Sequence, residues 1–151
     1  MLAVDSNILV YAHRRESEPY AQARRTLEEL AKGARPWAIP WPCCHEFLSV
    51  VTNRKIWKEA ASTPEEAWHQ LRIWEASPMC RMIGETDGFM DVLEGFVNRP
   101  NITGAIVHDA RIAAICAANG VETLLTRDRD FSLFPQLPTR DPLSGSGLRT
   151  E

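Results

Sequence analysis

Residues 1–11, MLAVDSNILVY, decide how the rest of the chain is organised. A short apolar run, LAV, is followed by Asp5, Ser6 and Asn7 before apolar residues resume at Ile8. A buried strand that ends in a polar turn and leads directly into a helix has this pattern. Because ligands of open α/β sheets bind beyond the carboxyl ends of the strands, Asp5 lies where chemistry usually occurs. An aspartate at this place also caps helices, so both roles stay open for Asp5.

The composition is that of one ordinary globular domain. The chain has 151 residues, of which 44% are hydrophobic and 25% are charged, and its formal net charge is −3. This length is sufficient for one domain with a real core, and we identify no internal repeat or second domain. The charge gives no global basic field of the kind that attracts nucleic acid, although an acidic metal site would itself lower the total.

The four cysteines predict neither a zinc site nor a disulfide framework. None forms a C-x-x-C pair, and the adjacent Cys43 and Cys44 cannot join each other without strain. We expect no signal peptide, because Asp5 interrupts the apolar start and no basic region precedes it. No apolar run approaches the length of a membrane span. We therefore expect a cytoplasmic protein with reduced thiols and no membrane association.

Short apolar runs alternate with helical patterns along the chain, and Gly33 and Gly120 are typical helix-ending residues. Such alternation is characteristic of βαβ units, so we predict an α/β fold whose parallel sheet is covered by helices on both faces. The glycine-containing segment 144–151 is predicted to be a flexible C-terminal tail. The predicted strands are residues 2–4, 37–39, 79–83 and 121–126, with an edge strand at 139–140. The predicted helices are residues 8–13, 20–32, 42–51, 62–74, 86–97 and 106–118.

Five acids fall near strand ends or on helices that can face them. Asp5 follows the first strand, Glu46 lies in the first turns of the helix after the second strand, and Asp109 lies near the start of the alanine-rich helix. Asp128 and Asp130 follow the fourth strand in the sequence TRDRDF. Strand carboxyl ends and the helix starts that follow them gather at one edge of a parallel sheet, so these acids can converge. Each also has an ordinary explanation as a cap, a solvated helix residue or a turn former.

A convergent set of carboxylates would be a site for a hard metal ion. Carboxylates a few ångströms apart repel each other unless a cation lies between them, and oxygen ligands suit Mg²⁺ or Mn²⁺ rather than zinc. A water molecule on such a metal can attack a phosphodiester bond. No G-x-S-x-G motif indicates a serine nucleophile instead.

Taken together, these motifs resemble the PIN domain, and within it the VapC-type toxins of bacterial VapBC toxin–antitoxin modules. The resemblance rests on the opening LAVDSNILVYA, on Glu46 in the intervening helix, and on the stretch VHDARIAAICAANGVETLLTRDRDF. It spans residues 1–143 as one PIN domain. It implies a three-layer α/β/α sandwich with a central, mostly parallel sheet, and a Mg²⁺- or Mn²⁺-dependent ribonuclease site.

The resemblance also implies roles for individual acids. Asp5 and Asp109 are the implied metal ligands, and Glu46 and Asp128 complete an acidic catalytic quartet. Asp130 either joins this set, replaces Asp128 or caps the following turn, and we place Asp128 ahead of it as the fourth acid.

Other polar residues have less specific roles. The resemblance implies that Asn7 and Thr126 orient the acids. His45 and His108 each lie beside a proposed ligand, and we expect them to be structural or to face RNA. Basic residues that flank the acids in sequence are candidates for RNA phosphate contacts. These are Arg14, Arg15, Arg54, Lys55, Arg127 and Arg129.

The resemblance further implies partners. Family members are usually dimers, and a small antitoxin whose tail enters the groove inhibits them, so we expect a cognate VapB-type antitoxin and a homodimer. The implied substrate is structured RNA, often tRNA. The five tryptophans are expected to lie mostly in the core, but tryptophan also anchors protein interfaces. The segment 57–74 is therefore our candidate for antitoxin or dimer contact.

Three alternative protein classes share features with this sequence but differ at specific residues. A haloacid-dehalogenase-like phosphatase also opens with an aspartate after its first strand, but it needs a second acid where this chain has Asn7, which cannot donate a proton in that way. A receiver domain needs a phospho-acceptor aspartate after the third strand, where this chain has Gly84. A catalytically inactive PIN-like binding module is disfavoured by the complete acidic quartet.

Overall fold

The computed structural model describes residues 1–145, so that most of the predicted tail, residues 146–151, lies outside the described residues. The strands are β1 (Leu2–Val4), β2 (Trp37–Pro40), β3 (Cys80–Ile83), β4 (Thr123–Leu125) and β5 (Thr139–Arg140). The helices are α1 (Ser6–His13), α2 (Tyr20–Lys32), α3 (Trp41–Val51), α4 (Arg54–Trp57), α5 (Pro64–Glu75), α6 (Phe89–Val97) and α7 (Ile106–Ala118). Two 3₁₀ turns span Lys58–Ala60 and Arg129–Leu133.

The five strands form one sheet in the order β3-β2-β1-β4-β5, and all neighbouring pairs are parallel. Connections between parallel strands are almost always right-handed. The chain crosses the sheet in one direction from β1 to β3 and then returns to β4, so right-handed crossovers place α1 to α5 on one face and α6 and α7 on the other. Helix contacts agree, because α1 packs on α2 and α3, whereas α6 packs on α7. The predicted α/β/α sandwich is confirmed.

Strand β1 lies at the centre of this sheet. Ala3 and Val4 are fully buried, as expected for a strand that helices cover on both faces. Directly after the strand, the backbone N–H of Asp5 donates to the carbonyl oxygen of Leu125 in β4, at 3.0 Å. The strand order reverses between β1 and β4, and the crevice at such a reversal is where open α/β sheets bind their ligands. The fold therefore places Asp5 at the preferred site.

Local sequence signals determine where most helices begin and end. Helices α2 and α7 have the predicted bounds, and Thr63 forms a capping box with Glu66 at the start of α5. Helix α6 begins later than predicted because Gly88, at φ 75°, adopts a left-handed conformation just before it. Strand β4 is shorter than predicted because the Val121 N–H donates to the Cys116 carbonyl and closes α7. Within residues 1–145, no helix combines the length and the apolar character needed to cross a membrane.

The tryptophans divide between the core and the surface. Trp37 is fully buried and Trp74 nearly so, and Trp74 packs edge-on against Phe47. Trp41 and Trp68, by contrast, are 40% and 47% exposed. We expected the tryptophans to lie mostly in the core, but only Trp37 and Trp74 are buried. Trp41 begins α3 at the rim of the sheet, and Trp68 lies on the outer side of α5.

Candidate active site

The Asp5 carboxylate is buried and is held by five hydrogen-bond donors, of which the Ser6 hydroxyl, at 3.4 Å from Oδ1, is a long one. Its Oδ1 accepts from the backbone N–H of Ser6 at 2.7 Å, which makes Asp5 the N-cap of α1, and from the Cys43 thiol at 3.5 Å. Its Oδ2 accepts from the Thr126 hydroxyl at 2.6 Å and from the Asn7 side-chain amide at 2.8 Å. Burial raises the pKa of the Asp5 carboxyl, and the bonds from Thr126 and Ser6 oppose this rise. These donors fix the orientation of a carboxylate that is 3% exposed.

Thr126 joins this carboxylate to the turn that follows β4. Its hydroxyl oxygen accepts from the backbone N–H of Asp128 at 2.9 Å and from the Asn7 amide at 3.0 Å. Asp128 in turn accepts from the backbone N–H of Asp130 at 2.9 Å, and so caps the 3₁₀ turn. The Asn7 side-chain oxygen accepts from the backbone N–H of Arg127 at 3.2 Å. The expectation that Asn7 and Thr126 orient the acids fits this arrangement.

Asp109 is the point at which the acids meet. Its pKa is raised to about 7, first by burial and then by repulsion from Asp128, Asp5, Asp130 and Glu46, in that order. One carboxylate oxygen from each of Asp109, Asp128 and Asp130 lies within 4.8 Å of the others. Glu46 is exposed on α3 and also contributes to the raised pKa of Asp5. The structure thus brings all five sequence-predicted acids to one edge of the sheet.

The donor set fits a hard divalent cation. All the converging ligand atoms are carboxylate oxygens, which Mg²⁺ and Mn²⁺ prefer. Two nearby arginines form ion pairs with acids outside the cluster. Arg127 Nε lies 3.6 Å from Asp141 Oδ2, and Arg111 Nη2 lies 2.5 Å from Glu85 Oε1. Among the described residues, no cationic side chain lies within ion-pair distance of Asp109. A bound metal ion would supply the positive charge that this cluster lacks.

The structure corrects one RNA-binding candidate, Arg14. Its side chain is 4% exposed, and its guanidinium donates to the carbonyl of Ala60 at 2.8 Å and lies 4.1 Å from the ring centroid of Trp57. It also forms an ion pair with Glu16. The prediction that Arg14 contacts RNA is wrong, because segment 57–62 folds over the end of α1 and encloses the guanidinium.

We expect Arg14→Ala to lower the free energy of unfolding by about 2–3 kcal/mol, since the change removes buried stem packing, the stacking on Trp57 and the bond to Ala60. The exposed neighbour Arg15 provides the matched control, and Arg15→Ala should change stability by no more than about 0.5 kcal/mol. Urea denaturation of both variants measures the difference. Equal stability of the two would contradict the structural role of Arg14.

The remaining basic candidates are all exposed, but they lie at two different ends of the molecule. Arg127 and Arg129 follow β4 at the edge where the acids meet. Arg15 follows the end of α1, and Arg54 and Lys55 follow the end of α3, so each lies about one helix length, on the order of 12–16 Å, from that edge. Contact with RNA near the acids is therefore best supported for Arg127 and Arg129.

Cys43 is a site residue that sequence reasoning missed. Its fully buried thiol faces Asp5, and burial raises its pKa well above the ordinary value, so it stays protonated and able to donate. It precedes Glu46 by three residues on α3, and residues at this spacing share one face of a helix. That spacing was the available signal, but a buried cysteine is usually only a small apolar residue.

Thr126→Val tests the junction between Asp5 and the β4 turn. Valine has nearly the same shape but leaves the Asp128 N–H without its acceptor and Asp5 without one donor, so we expect a loss of about 1–3 kcal/mol in stability. We also expect about a 10–100-fold loss of metal affinity, as for other residues that orient ligands. Thr126→Ser keeps the hydroxyl and should retain most of both properties. Urea denaturation and Mn²⁺ titration report the two effects, and a valine variant as stable and as metal-competent as the serine variant would contradict the role of the hydroxyl.

Comparison with known proteins agrees with the fold and the motifs. Residues 2–137 match the model of the PIN domain. The chain is 34% identical over 145 residues to ribonuclease VapC43 of Mycobacterium tuberculosis, covering 96% of this chain and 97% of the relative. It is 30% identical over 141 residues to ribonuclease VapC48 of the same organism, covering 93% and 97%.

A solved structure of VapBC2 from Rickettsia felis, bound to a DNA fragment from its promoter, has the same fold. The TM-score is 0.65 at 22% identity, and the alignment covers 92% of this chain and 96% of the other. The length of the family match, the sequence identity to the curated relatives and the topology of the sheet all lead to the same family assignment. The chain belongs to the PIN-domain family, within the group of VapC ribonucleases.

Proposed function

We propose that this protein is a Mg²⁺- or Mn²⁺-dependent endoribonuclease toxin that hydrolyses RNA phosphodiester bonds and is neutralised by a cognate antitoxin. The observation that carries the proposal is the convergence of acids on Asp109. One oxygen each of Asp109, Asp128 and Asp130 lies within 4.8 Å of the others, and Asp5 and Glu46 also raise the pKa of Asp109. The VapC relatives named as ribonucleases support the reaction class.

In the proposed site, Asp5 and Asp109 hold the metal ion, and Glu46 and Asp128 complete the acidic set. When bound, the ion supplies a water of lowered pKa and offsets charge on the phosphate. The Thr126 hydroxyl and the Asn7 amide keep Asp5 in one orientation before substrate arrives. One carboxylate oxygen of Asp130, like one of Asp128, lies within 4.8 Å of an Asp109 oxygen, so we include both acids of the turn rather than Asp128 alone.

The proposed substrate is a structured RNA, such as a tRNA. The net negative charge provides no general attraction for RNA, so local contacts must hold the phosphates. Arg127 and Arg129 are exposed beside the acids and are our candidates for that contact. Arg127 also lies over the ring of Tyr11, at 5.8 Å from its centroid, which limits the freedom of its guanidinium.

The proposed partner is a VapB-type antitoxin, and we propose a homodimer as the working form in the cytoplasm. The Rickettsia felis neighbour is a VapBC complex, which supports such a partner. Segment 57–74 remains our candidate for protein contact. Trp68 on α5 lines an open apolar groove of about 520 Å³ with Leu48 and Pro64, and an exposed tryptophan in such a groove is suited to anchoring a partner. The four buried free thiols fit a reducing compartment.

The alternatives gain no support from the structure. The Asn7 side chain occupies the position of the second acid of a phosphatase, and its amide donates to Asp5 and to Thr126. An amide in this arrangement holds a neighbour in place and has no proton to give to a leaving group. In an inactive binding module, a cluster of mutually repelling acids would destabilise the fold and serve no reaction.

Sequencing of RNA ends after brief expression of the protein without its antitoxin tests the proposal and identifies the target. We expect new ends at a small number of positions in one class of RNA. The same ends should be missing after expression of Asp109→Asn. An RNA profile that is identical for the two proteins would refute the proposed activity.

A further inference from the structure

An exposed aromatic pair lies at the same edge of the sheet as the acids. Trp41 is the first residue of α3, directly after the carboxyl end of β2, and is 40% exposed. His45 follows it one helical turn later and is also exposed. The two rings lie 6.5 Å apart between centroids, with their planes inclined by 37°. The proposed ribonuclease chemistry uses neither ring.

The indole of Trp41 rests on the backbone at the end of β3. A Cβ atom on Gly84 would lie only 3.3 Å from Cδ1 of Trp41, so the glycine permits this close approach. The Gly84 carbonyl is fixed in turn by a hydrogen bond of 2.9 Å from the side-chain amide of Asn119 at the end of α7. Trp41 therefore packs against a hydrogen-bonded backbone segment, while 40% of the residue stays exposed to solvent.

An ion pair joins the helix of Asp109 to the residue that follows Gly84. Arg111, two residues after Asp109 on α7, reaches Glu85, which follows Gly84 in the chain, at 2.5 Å. Strand β3 is two strands from β1 in the sheet, so the Trp41 ring lies about 10 Å along the edge from Asp5. A strand of RNA whose phosphate occupies the acidic site can cross this distance with a few nucleotides.

From this placement we infer that Trp41, together with His45, forms a stacking platform for an unpaired base of the RNA substrate close to the cleaved bond. The inference rests on the proposed ribonuclease function. Proteins that recognise RNA by sequence commonly splay out unpaired bases and stack them on aromatic side chains. The position also favours RNA over a protein partner: Trp41 begins α3 at the edge of the sheet where the acids converge, whereas Trp68 on α5 lines a groove with Leu48 and Pro64.

The test measures binding of a single-stranded RNA oligonucleotide of mixed sequence that contains 2-aminopurine. The full-length protein carries Asp109→Asn so that the RNA stays intact in Mg²⁺. Adding Trp41→Ala should weaken binding by about tenfold or more, which corresponds to the loss of one base–aromatic stack. Trp41→Phe keeps an aromatic face and should restore most of the affinity and of the fluorescence quenching. A perfect duplex of the same sequence should bind equally to the Asp109→Asn protein and to the protein that also carries Trp41→Ala.

Ile56→Ala is the control, since Ile56 is an exposed apolar residue of α4, away from the acidic edge and outside segment 57–74, and its loss should leave RNA binding unchanged. Thermal unfolding of each variant checks that the fold is intact. Unchanged single-strand binding by Trp41→Ala, or no RNA binding by the Asp109→Asn protein, would overturn the inference. So would unchanged RNA binding combined with loss of antitoxin binding or of the dimer, because the surface would then be a protein interface. Cleavage by the otherwise unaltered protein, measured in parallel, judges the ribonuclease proposal separately.

Discussion

Replacing Asp109 with asparagine is expected to lower metal-dependent RNA cleavage by at least about a thousandfold, or roughly 4 kcal/mol of transition-state stabilisation. Asp109 is the carboxylate on which the fields of the other four acids converge, so the change removes the central ligand of the proposed metal site. Its side chain is only partly buried, and asparagine has the same shape, so the fold should survive. Cleavage of RNA by the purified protein in Mg²⁺ measures the effect.

Asp87→Asn is the matched control, because Asp87 is an exposed acid outside the cluster. It loses the same charge and should cleave at the original rate. Full activity of Asp109→Asn would contradict the assignment of the site. Equal losses in both variants would mean that total charge, rather than the cluster, controls the reaction.

Asp5→Asn should also abolish cleavage, but it is a less clean experiment. The buried Asp5 carboxylate accepts hydrogen bonds on both oxygens, including those from Thr126 and Asn7. In Asp5→Asn, the amide NH₂ group would face the N–H and O–H groups that now donate to the carboxylate, so at least one of these hydrogen bonds would be lost. We therefore expect Asp5→Asn to be less stable than the original protein, whereas Asp109→Asn is more stable without metal. Thermal unfolding in chelator measures the Tm of both variants. Equal Tm shifts of the same sign in the two variants would contradict this expectation.

The second large effect is a pH-dependent stabilisation by Asp109→Asn in the absence of metal. In the folded protein the pKa of Asp109 is about 7, compared with an ordinary 3.8. Between these values the folded state binds more protons than the unfolded state, so the free energy of unfolding falls as pH rises. The destabilisation by the ionised Asp109 carboxylate is absent below about pH 4 and complete above about pH 7. Asparagine cannot ionise, so Asp109→Asn removes this destabilisation.

At about pH 8 in chelator, Asp109→Asn should exceed the original protein in stability by about 1–2 kcal/mol, a reduced value because solvent screens a partly exposed carboxylate. This corresponds to a rise of about 2–8 °C in Tm, which should shrink towards zero at about pH 4. Added Mg²⁺ should stabilise the original protein and reverse the order. Scanning calorimetry across this pH range measures the difference. A constant difference at all pH values, or a lower Tm for the variant at about pH 8, would show that the acids do not repel each other as the geometry requires.

Much of the fold was predictable because its signals are local. The apolar run before Asp5, the helical spacing of residues 20–32 and 106–118, and the strand pattern required only short-range periodicity. The acids were predictable as a set because parallel topology brings strand ends to one edge. The pattern could not decide between the two acids of the TRDRDF turn, since that depends on how the 3₁₀ turn closes after β4.

Features that depend on long-range packing were not predictable in this way. Arg14 is enclosed by a segment more than forty residues later in the chain, a contact that no local pattern contains. The placement of Trp41 depends on its position at the rim and on Gly84, which follows β3 and lies against its ring. The double role of Asp5, as helix cap and as proposed ligand, became visible only when both carboxylate oxygens could be followed to their donors.

The central claim is that the acids at the carboxyl edge hold a divalent metal ion, and titration with Mn²⁺ followed by electron paramagnetic resonance tests it most directly. The original protein and Asp87→Asn should bind Mn²⁺ saturably, with Mg²⁺ competing for the same site, and Asp109→Asn should lose this binding. Unaltered Mn²⁺ binding by Asp109→Asn, or no saturable binding by the original protein, would contradict the account.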